Sequence, residues 1–211
     1  MNLVIEYQYF PSVILFNTSF SFSNIVFEKY EHYKKMGFRN RCRIAGANGT
    51  IDLTVPLANG RDQKAFTRDV KIAGFENWQA NHWKTLMSCY NRSPWFEFYR
   101  DGLERLYLRP FIFLIDWDLY CFEWVLSCLE MQPAISSTEA FQPTYQNGDW
   151  ADWRNRIRPG SLGELPAIKY RQVFEERLGF LPNLSILDLL FCEGRNARRL
   201  LQNPLQGINR Q

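Results

Sequence analysis

RNRCRIAGANGTIDLTVPL, residues 39–57, is the stretch on which the reading of this chain turns. Two β-prone runs flank Gly46-Ala47-Asn48-Gly49, and Asn48-Gly49 supplies the positive φ angles of a tight turn, so an antiparallel hairpin is expected. In the second arm Ile51, Leu53, Val55 and Leu57 alternate with Asp52, Thr54 and Pro56. Successive strand residues face opposite ways, so one side of this arm is buried and the other wet. In the first arm the same alternation sets Arg39, Arg41 and Arg43 in a row at roughly 6.6 Å spacing, with Asn40, Cys42 and Ile44 on the other side. Guanidinium forks grip phosphate oxygens in pairs, so such a row suits a nucleoside diphosphate, a phosphorylated carrier or an RNA backbone. The competing reading is a strand edge guarded by charge, or ion pairs with Glu28 and Glu31 on a neighbouring strand.

Upstream, NLVIEYQYF (residues 2–10) is β-branched and aromatic and stops at Pro11, as a core strand entering a turn does. A Ser/Phe-rich connection leads to NIVFEKYEHY (24–33), a second strand with Ile25 and Phe27 on one side and Val26, Glu28 and Tyr30 on the other. Downstream, residues 57–66 read as an exposed loop and RDVKIAG (68–74) as a further short strand. A helix follows over 76–93, with Trp83, Leu86, Met87 and Tyr90 on one stripe, and two more occupy 96–110 and 111–131. Residues 132–166 are rich in Pro, Gly, Ser, Thr and Asn, which predicts a long surface segment or a lid. Three short helices end the chain, with Gly179 and Gly194 as C-caps. The expected whole is one mixed α/β domain: strand-rich over 1–75, helical over 76–131, loop-rich over 132–166, and helical again over 167–203.

Composition bounds the function. With 211 residues, 46% of them apolar and 16% aromatic, the chain can bury a sizeable core. Cys42, Cys89, Cys121, Cys128 and Cys192 are odd in number and scattered, so reduced, inert thiols are expected. No export signal is visible, and Asp116, Asp118 and Glu123 interrupt the longest apolar run, so a cytoplasmic protein without a membrane span is expected. Net charge is only +3, but residues 24–44 hold six Lys/Arg against Glu28 and Glu31.

Few residues carry obvious chemistry. His82 falls at the edge of its helical stripe, where an imidazole serves either as a general base or as a packed hydrogen-bonding ring. His32 lies in a charged run that reads as solvated. Ser185 and Asp188 form S-x-x-D before an apolar run, a capping box in preference to a nucleophile with its acid. Neither a P-loop nor GxGxxG occurs, and two histidines leave little for a metal, so no cofactor or metal is expected.

EHYKKMGFRNRCRIAGANGTIDLTVPL (31–57), DVKI (69–72), NWQANHWKTLMSCYNRSPWFEFYRD (77–101) and LSILDLLFCEG (184–194), in this order, resemble the WbqC-like protein family. Some members carry Gln-Pro ahead of the aromatic-Pro motif, whereas here Glu6-Tyr7-Gln8 precedes Tyr9-Phe10-Pro11. The resemblance implies a role in making O-antigen and related surface polysaccharides, with a glycine or aminoacyl transferase activity suggested. It points to Tyr33, Arg39, Asn40, Arg41, Asn48, His82, Tyr90, Ser93 and Pro94.

Two functions compete. In the first, an acyl or aminoacyl group passes to a sugar nucleotide or related glycan precursor. Arg39 and Arg41 hold phosphate, His82 takes the acceptor proton, and Asn40, Tyr33 or Tyr90 help bind and orient the substrate. In the second, the basic strand Arg39/Arg41/Arg43, with Tyr30, Tyr33 and Phe38, is a non-catalytic surface for RNA or an assembly partner. Enclosure separates them, since an enzyme needs a pocket shared by the arginines and His82.

Overall fold

The computed structural model describes residues 1–74, 77–145 and 148–205. Strand β1 (Asn2–Glu6) leads through helix α1 (Val13–Ser19) to β2 (Asn24–Glu28), which lies parallel to β1 from Asn2↔Asn24 to Glu6↔Glu28. The expected hairpin follows: β3 (Arg41–Gly46) and β4 (Gly49–Thr54) pair antiparallel, with Gly46 opposite Gly49. Helices α2 (Trp78–Tyr90), α3 (Phe96–Leu108) and α4 (Leu114–Cys128) come next. Strands β5 (Ala134–Ser137) and β6 (Trp150–Asp152) return to the first sheet, and α5 (Glu175–Leu178), α6 (Ile186–Glu193) and α7 (Asn196–Gln202) finish the fold. The larger sheet has the order β5-β2-β1-β6, every pair parallel, while the hairpin stands apart. The mixed α/β class is as expected from the sequence.

Three local expectations are corrected. The Ser/Phe-rich connection contains α1, whose seven residues are all buried; a helix covered on every side carries no polar stripe to betray it. The 132–166 segment is not all surface loop, because β5 and β6 come from it; runs of four and three residues are too short to display alternation. Gln146 and Asn147 of that segment, and Glu76 at the expected head of α2, lie outside the described residues. Residues 68–74 form no ladder: a 3-10 turn at Thr67–Asp69 is followed by the isolated bridges Leu57↔Ile72 and Lys71↔Phe113.

The pleat divides the parallel sheet. One face turns Leu3, Ile5, Ile25 and Phe27 into the core, where Phe27 meets Phe122 of α4 edge-on at 5.1 Å and Phe16 of α1 stacks on the same ring at 5.0 Å. The other face runs in rows across the strands: Trp150, Asn2, Asn24 and Ala134, then Asp152, Val4, Val26 and Ser136, then Glu6 and Glu28. That face is neutral at the amino ends of the strands and acidic at their carboxyl ends.

In the hairpin Leu53 and Val55 are buried, and Ile51 and Leu57 are partly buried against the same core. Ser185 ties it to the rest, its backbone N–H donating to Arg43 O at 2.7 Å. The Ser185 hydroxyl caps α6, but Asp188 makes no reciprocal contact. It is fully buried and accepts from Tyr90 Oη and Tyr170 Oη, each at 2.7 Å. Gly179 and Gly194 end their helices at φ 72° and 55°, as expected. All five cysteines are free thiols. Among the described residues no helix is long and apolar enough to cross a membrane.

Of the expected pair Asn48-Gly49 only Gly49 takes positive φ, because Ala47 and Asn48 occupy the centre of the turn and Gly49 closes it opposite Gly46; its φ of 132° is a region closed to residues with a Cβ. Gly49→Ala is expected to lower the unfolding free energy by about 1–3 kcal/mol in urea titrations. An unchanged midpoint would show that the turn tolerates a Cβ.

Candidate functional site

Polar side chains gather where β1 and β2 end. Glu6, Gln8, Glu28, Glu31 and Arg39 are all buried, an unusual set for a core. Arg39, just before β3, donates Nη2–H to Glu31 Oε1 and to Asn155 Oδ1, the latter at 3.0 Å. Asn155 in turn donates its backbone N–H to Glu6 Oε2 at 2.8 Å and its Nδ2–H to Glu31 Oε2 at 3.3 Å. Gln8 Nε2 donates to Glu6 Oε1 at 2.8 Å, and Lys34 Nζ lies 3.0 Å from Glu31. Burial alone would raise the Glu31 carboxyl; the charges of Arg39 and Lys34 bring it below the ordinary glutamate value. Beside this group Arg154 reaches Glu28 at 3.2 Å and Asp152 at 2.5 Å.

A cleft of about 170 Å³ opens on the network, lined by Glu6, Lys34, Arg39, Asn155, Ile157 and Arg158 among others. Liquid water takes about 30 Å³ per molecule, so this space suits a phosphate or a small acyl group, with the rest of a ligand outside. It lies beyond the carboxyl ends of parallel strands, the usual place for ligands in such sheets. Two of its wall residues, Met36 (φ 64°) and Asn155 (φ 59°), sit in the left-handed region. Asparagine enters that region readily, but a methionine there is uncommon, and such backbone gathers at functional sites.

Asp118 of α4 belongs to the same interior. It is 1% exposed and neither carboxyl oxygen has a hydrogen-bond partner among the described residues; Gln8 Oε1 and Arg39 Nε are likewise unpartnered. Burial drives its carboxyl well above the ordinary aspartate value, while the Arg39 charge pulls the other way. The sequence reading passed over Asp118, although its spacing from Leu114, Phe122 and Val125 placed it on the buried stripe of α4. Glu6 was missed because nothing local marks a strand-end acid.

The residues named from the sequence do not share one pocket. Arg41 and Arg43 both turn to Asp52 across the hairpin, at 3.5 and 2.7 Å, and Arg39 lies outside β3, so the row of three is broken. The hairpin register alone pairs Arg43 with Asp52, a signal already present in the sequence. Tyr33 Oη donates to Asn40 Oδ1 at 3.0 Å and Asn40 Nδ2 donates to Val55 O at 2.9 Å, so both secure the start of the hairpin. Burial raises the Tyr33 phenol to about 12. Tyr90 Oη is shared between Asp188 and the Ala45 N–H. Asn48 accepts from Arg177, and Ser93 closes the turn after α2 by donating to Tyr90 O. His32 stacks on Phe66 with its Nδ1 at 2.8 Å from Lys64 O.

His82 is only 6% exposed, and the buried face of α2 runs through it and Leu86, Cys89 and Tyr90 rather than through Trp83 and Met87. Its Nδ1 lies 3.0 Å from Tyr9 Oη, which also bonds Tyr107 Oη. Burial lowers the imidazole to about 4, with the Thr54 backbone acting weakly in the other direction. His82 does not line the Arg39 cleft.

The fold and cleft define an α/β domain with a buried ionic site at the carboxyl edge of a parallel sheet. The chain belongs to the WbqC-like protein family, whose model matches residues 7–158, from Tyr7 just after β1 through Arg158 of the cleft. No curated protein and no solved structure matches it.

Two pH dependences follow. His82 is neutral when folded, so its contribution is complete above the unfolded value near 6.5 and is lost as pH falls towards 4. About 3 kcal/mol should disappear across that window, and the loss should shrink in His82→Gln. Asp118 works the other way: with its folded value raised, the stability it permits is present below the unfolded value of 3.8 and is lost as pH rises. Asp118→Asn is therefore expected to stabilise the protein at pH 8 by about 1–3 kcal/mol, and by less at pH 4. Equal effects at both pH values would mean that Asp118 is not held protonated.

Proposed function

We propose that this protein transfers an acyl or aminoacyl group, glycyl being the smallest, to an amine or hydroxyl of a sugar nucleotide or related glycan precursor. One observation carries the reading: a small cleft at the carboxyl edge of the sheet joins a buried carboxylate, Glu6, to a rim of Lys34, Lys35 and Arg158, on which Lys34 pairs with the buried Glu31 and Lys35 with the exposed Asp62. The rim suits the phosphates of a nucleotide or of an activated acyl donor. Arg39, held by Glu31 and Asn155, adds a fixed positive charge to the wall.

In the reaction the acceptor nitrogen or oxygen attacks the carbonyl carbon of the activated donor. The new C–N or C–O bond forms, the bond to the leaving group breaks, and the acceptor proton passes to Glu6. A base in a prepared position typically contributes 10²–10⁴-fold. Glu6 takes the role first given to His82, whose lowered pKa and enclosure in aromatic rings make it a poor proton acceptor at neutral pH. Arg41 and Arg43 remain partly neutralised by Asp52, which weakens the case for a polyanion face.

The test is a thermal-shift screen of uridine- and thymidine-diphosphate sugars and acyl-coenzyme A thioesters, with mass spectrometry of the mixtures. A ligand at a hundredfold excess over its Kd adds about 2.7 kcal/mol. Glu6→Gln should keep nucleotide binding while lowering product formation at least a hundredfold, and Lys34→Ala with Arg158→Ala should weaken binding at least tenfold. Product formation unaffected by Glu6→Gln would reject the base, and binding indifferent to the rim would reject the site.

A further inference from the structure

A second and larger cleft, of about 1080 Å³, lies on the outer face of the parallel sheet near the amino ends of its strands. Its floor is the row that crosses four strands, Trp150, Asn2, Asn24 and Ala134, with Val26 and Ser136 in the next row. Residues 138–145 wall one side. The chemistry differs from that of the first cleft: Glu139 is the one charged residue among its described lining residues, and the rest offer amides, hydroxyls, two aromatic rings and small apolar groups.

Those features select a ligand class. With no cation to meet it, a phosphate or a nucleic-acid backbone would have to shed its water unaided. A neutral sugar has an apolar C–H face, which lies flat on an aromatic ring, and a rim of hydroxyls that both donate and accept. Amide side chains match that rim, since each offers both roles in one plane. Trp150 provides the ring. It packs on Tyr145 at 4.8 Å between centroids, and the Arg154 guanidinium lies 4.9 Å over Tyr145, so the platform is fixed before a ligand arrives. Arg154 is itself held by Asp152 and Glu28 and by the carbonyls of Gln142 and Pro143, which pins the wall as well. The amides beside Trp150 are ordered too: Asn24 Nδ2 donates to Asn2 Oδ1 at 2.8 Å, and both residues line the cleft, so the remaining amide groups, Asn2 Nδ2 and Asn24 Oδ1, are the donor and acceptor they have for a ligand.

We infer that this cleft binds an uncharged saccharide, stacked on Trp150 and hydrogen-bonded by Asn2, Asn24 and Ser136. The inference does not depend on the first cleft being catalytic, because the two share no lining residue.

Ligand-observed saturation-transfer NMR on the full chain, with maltose, cellobiose, lactose and di-N-acetylchitobiose as probes, tests it. At least one probe should receive saturation through its C–H face, with affinity reduced at least tenfold in Trp150→Ala and Asn24→Ala. Should Trp150→Ala fail to fold, Ser136→Trp decides the matter: Ser136 is exposed on edge strand β5, so the new indole fills the cleft without entering the core and should abolish binding. Circular dichroism verifies the fold of each variant. Saturation of none of the four sugars, or binding that survives Asn24→Ala and Ser136→Trp, would overturn the proposal. So would preferential binding of inorganic phosphate or uridine diphosphate in this cleft.

Discussion

Arg39 has almost no access to water, and its buried charge sets the terms for everything around it. An ionised group in an interior is tolerated only where opposite charge and hydrogen bonds replace its hydration. Glu31 supplies the charge from the segment after β2, and Asn155 supplies a carbonyl from the segment after β6. Asn155 also fixes Glu6 at the end of β1. One guanidinium therefore joins parts of the chain that are far apart in sequence, and the left-handed backbone at Asn155 is the local cost of presenting both its side chain and its N–H to acids. Removing one partner would leave the others as uncompensated buried charges, which is why such groups are retained together or not at all.

The parallel sheet gives this network its position. In a parallel sheet all carboxyl ends lie along one edge, so Glu6 and Glu28 stand side by side in the same row and on the same face. The outer face carries the larger cleft at its amino end, and its character changes along the strands from amides to acids. Arg154 bridges the two regimes: it meets the acids through Glu28 and Asp152 and steadies the neutral end through Tyr145 and the carbonyls of residues 142 and 143. Helix α4 contributes Asp118, a buried acid with no hydrogen-bond partner among the described residues that lies within reach of the Arg39 charge. Unpaired buried acids reduce stability, and proteins keep such costs mainly where function uses them.

The sequence was most informative where structure is local. The hairpin was legible because two β-prone runs flank a short Gly-Ala-Asn-Gly connection, although only Gly49 of the expected Asn48-Gly49 pair takes positive φ, and the C-caps were legible because only a few residues accept positive φ. Helices α2, α3 and α4 followed from their length and apolar periodicity. What could not be read was pairing over long distance: nothing in Ala134–Ser137 or Trp150–Asp152 announces a strand, since a parallel ladder is defined by its neighbours and not by its own pattern. The site was less legible than the fold for the same reason. Alternation placed Arg39 in a row with Arg41 and Arg43, yet Arg39 precedes the strand and answers to acids from other segments. His82 attracted attention by its chemistry, but a ring enclosed by Tyr9, Trp78 and Tyr107 is chiefly an aromatic-core residue. The one acid among the cleft's described lining residues, Glu6, ends a strand, where composition carries no signal.

The pairing of β1 with β6 also has a consequence for how the chain is made. Asn2, Leu3 and Val4 find their partners at Trp150, Ala151 and Asp152, so β1 must wait for more than 140 further residues, about the separation of these partners, before its second edge is covered. At about 5–20 residues per second, that wait lasts on the order of ten seconds or more. During it β1 can pair with β2 through the nearby α1 crossover, but an apolar strand edge stays open to other chains. Closing the sheet joins the two ends of a long loop late in folding, a high-contact-order step that is slow by nature. The nascent chain thus keeps an apolar strand edge open from the synthesis of β1 until Trp150 arrives, and that is the interval in which pairing with other chains is easiest.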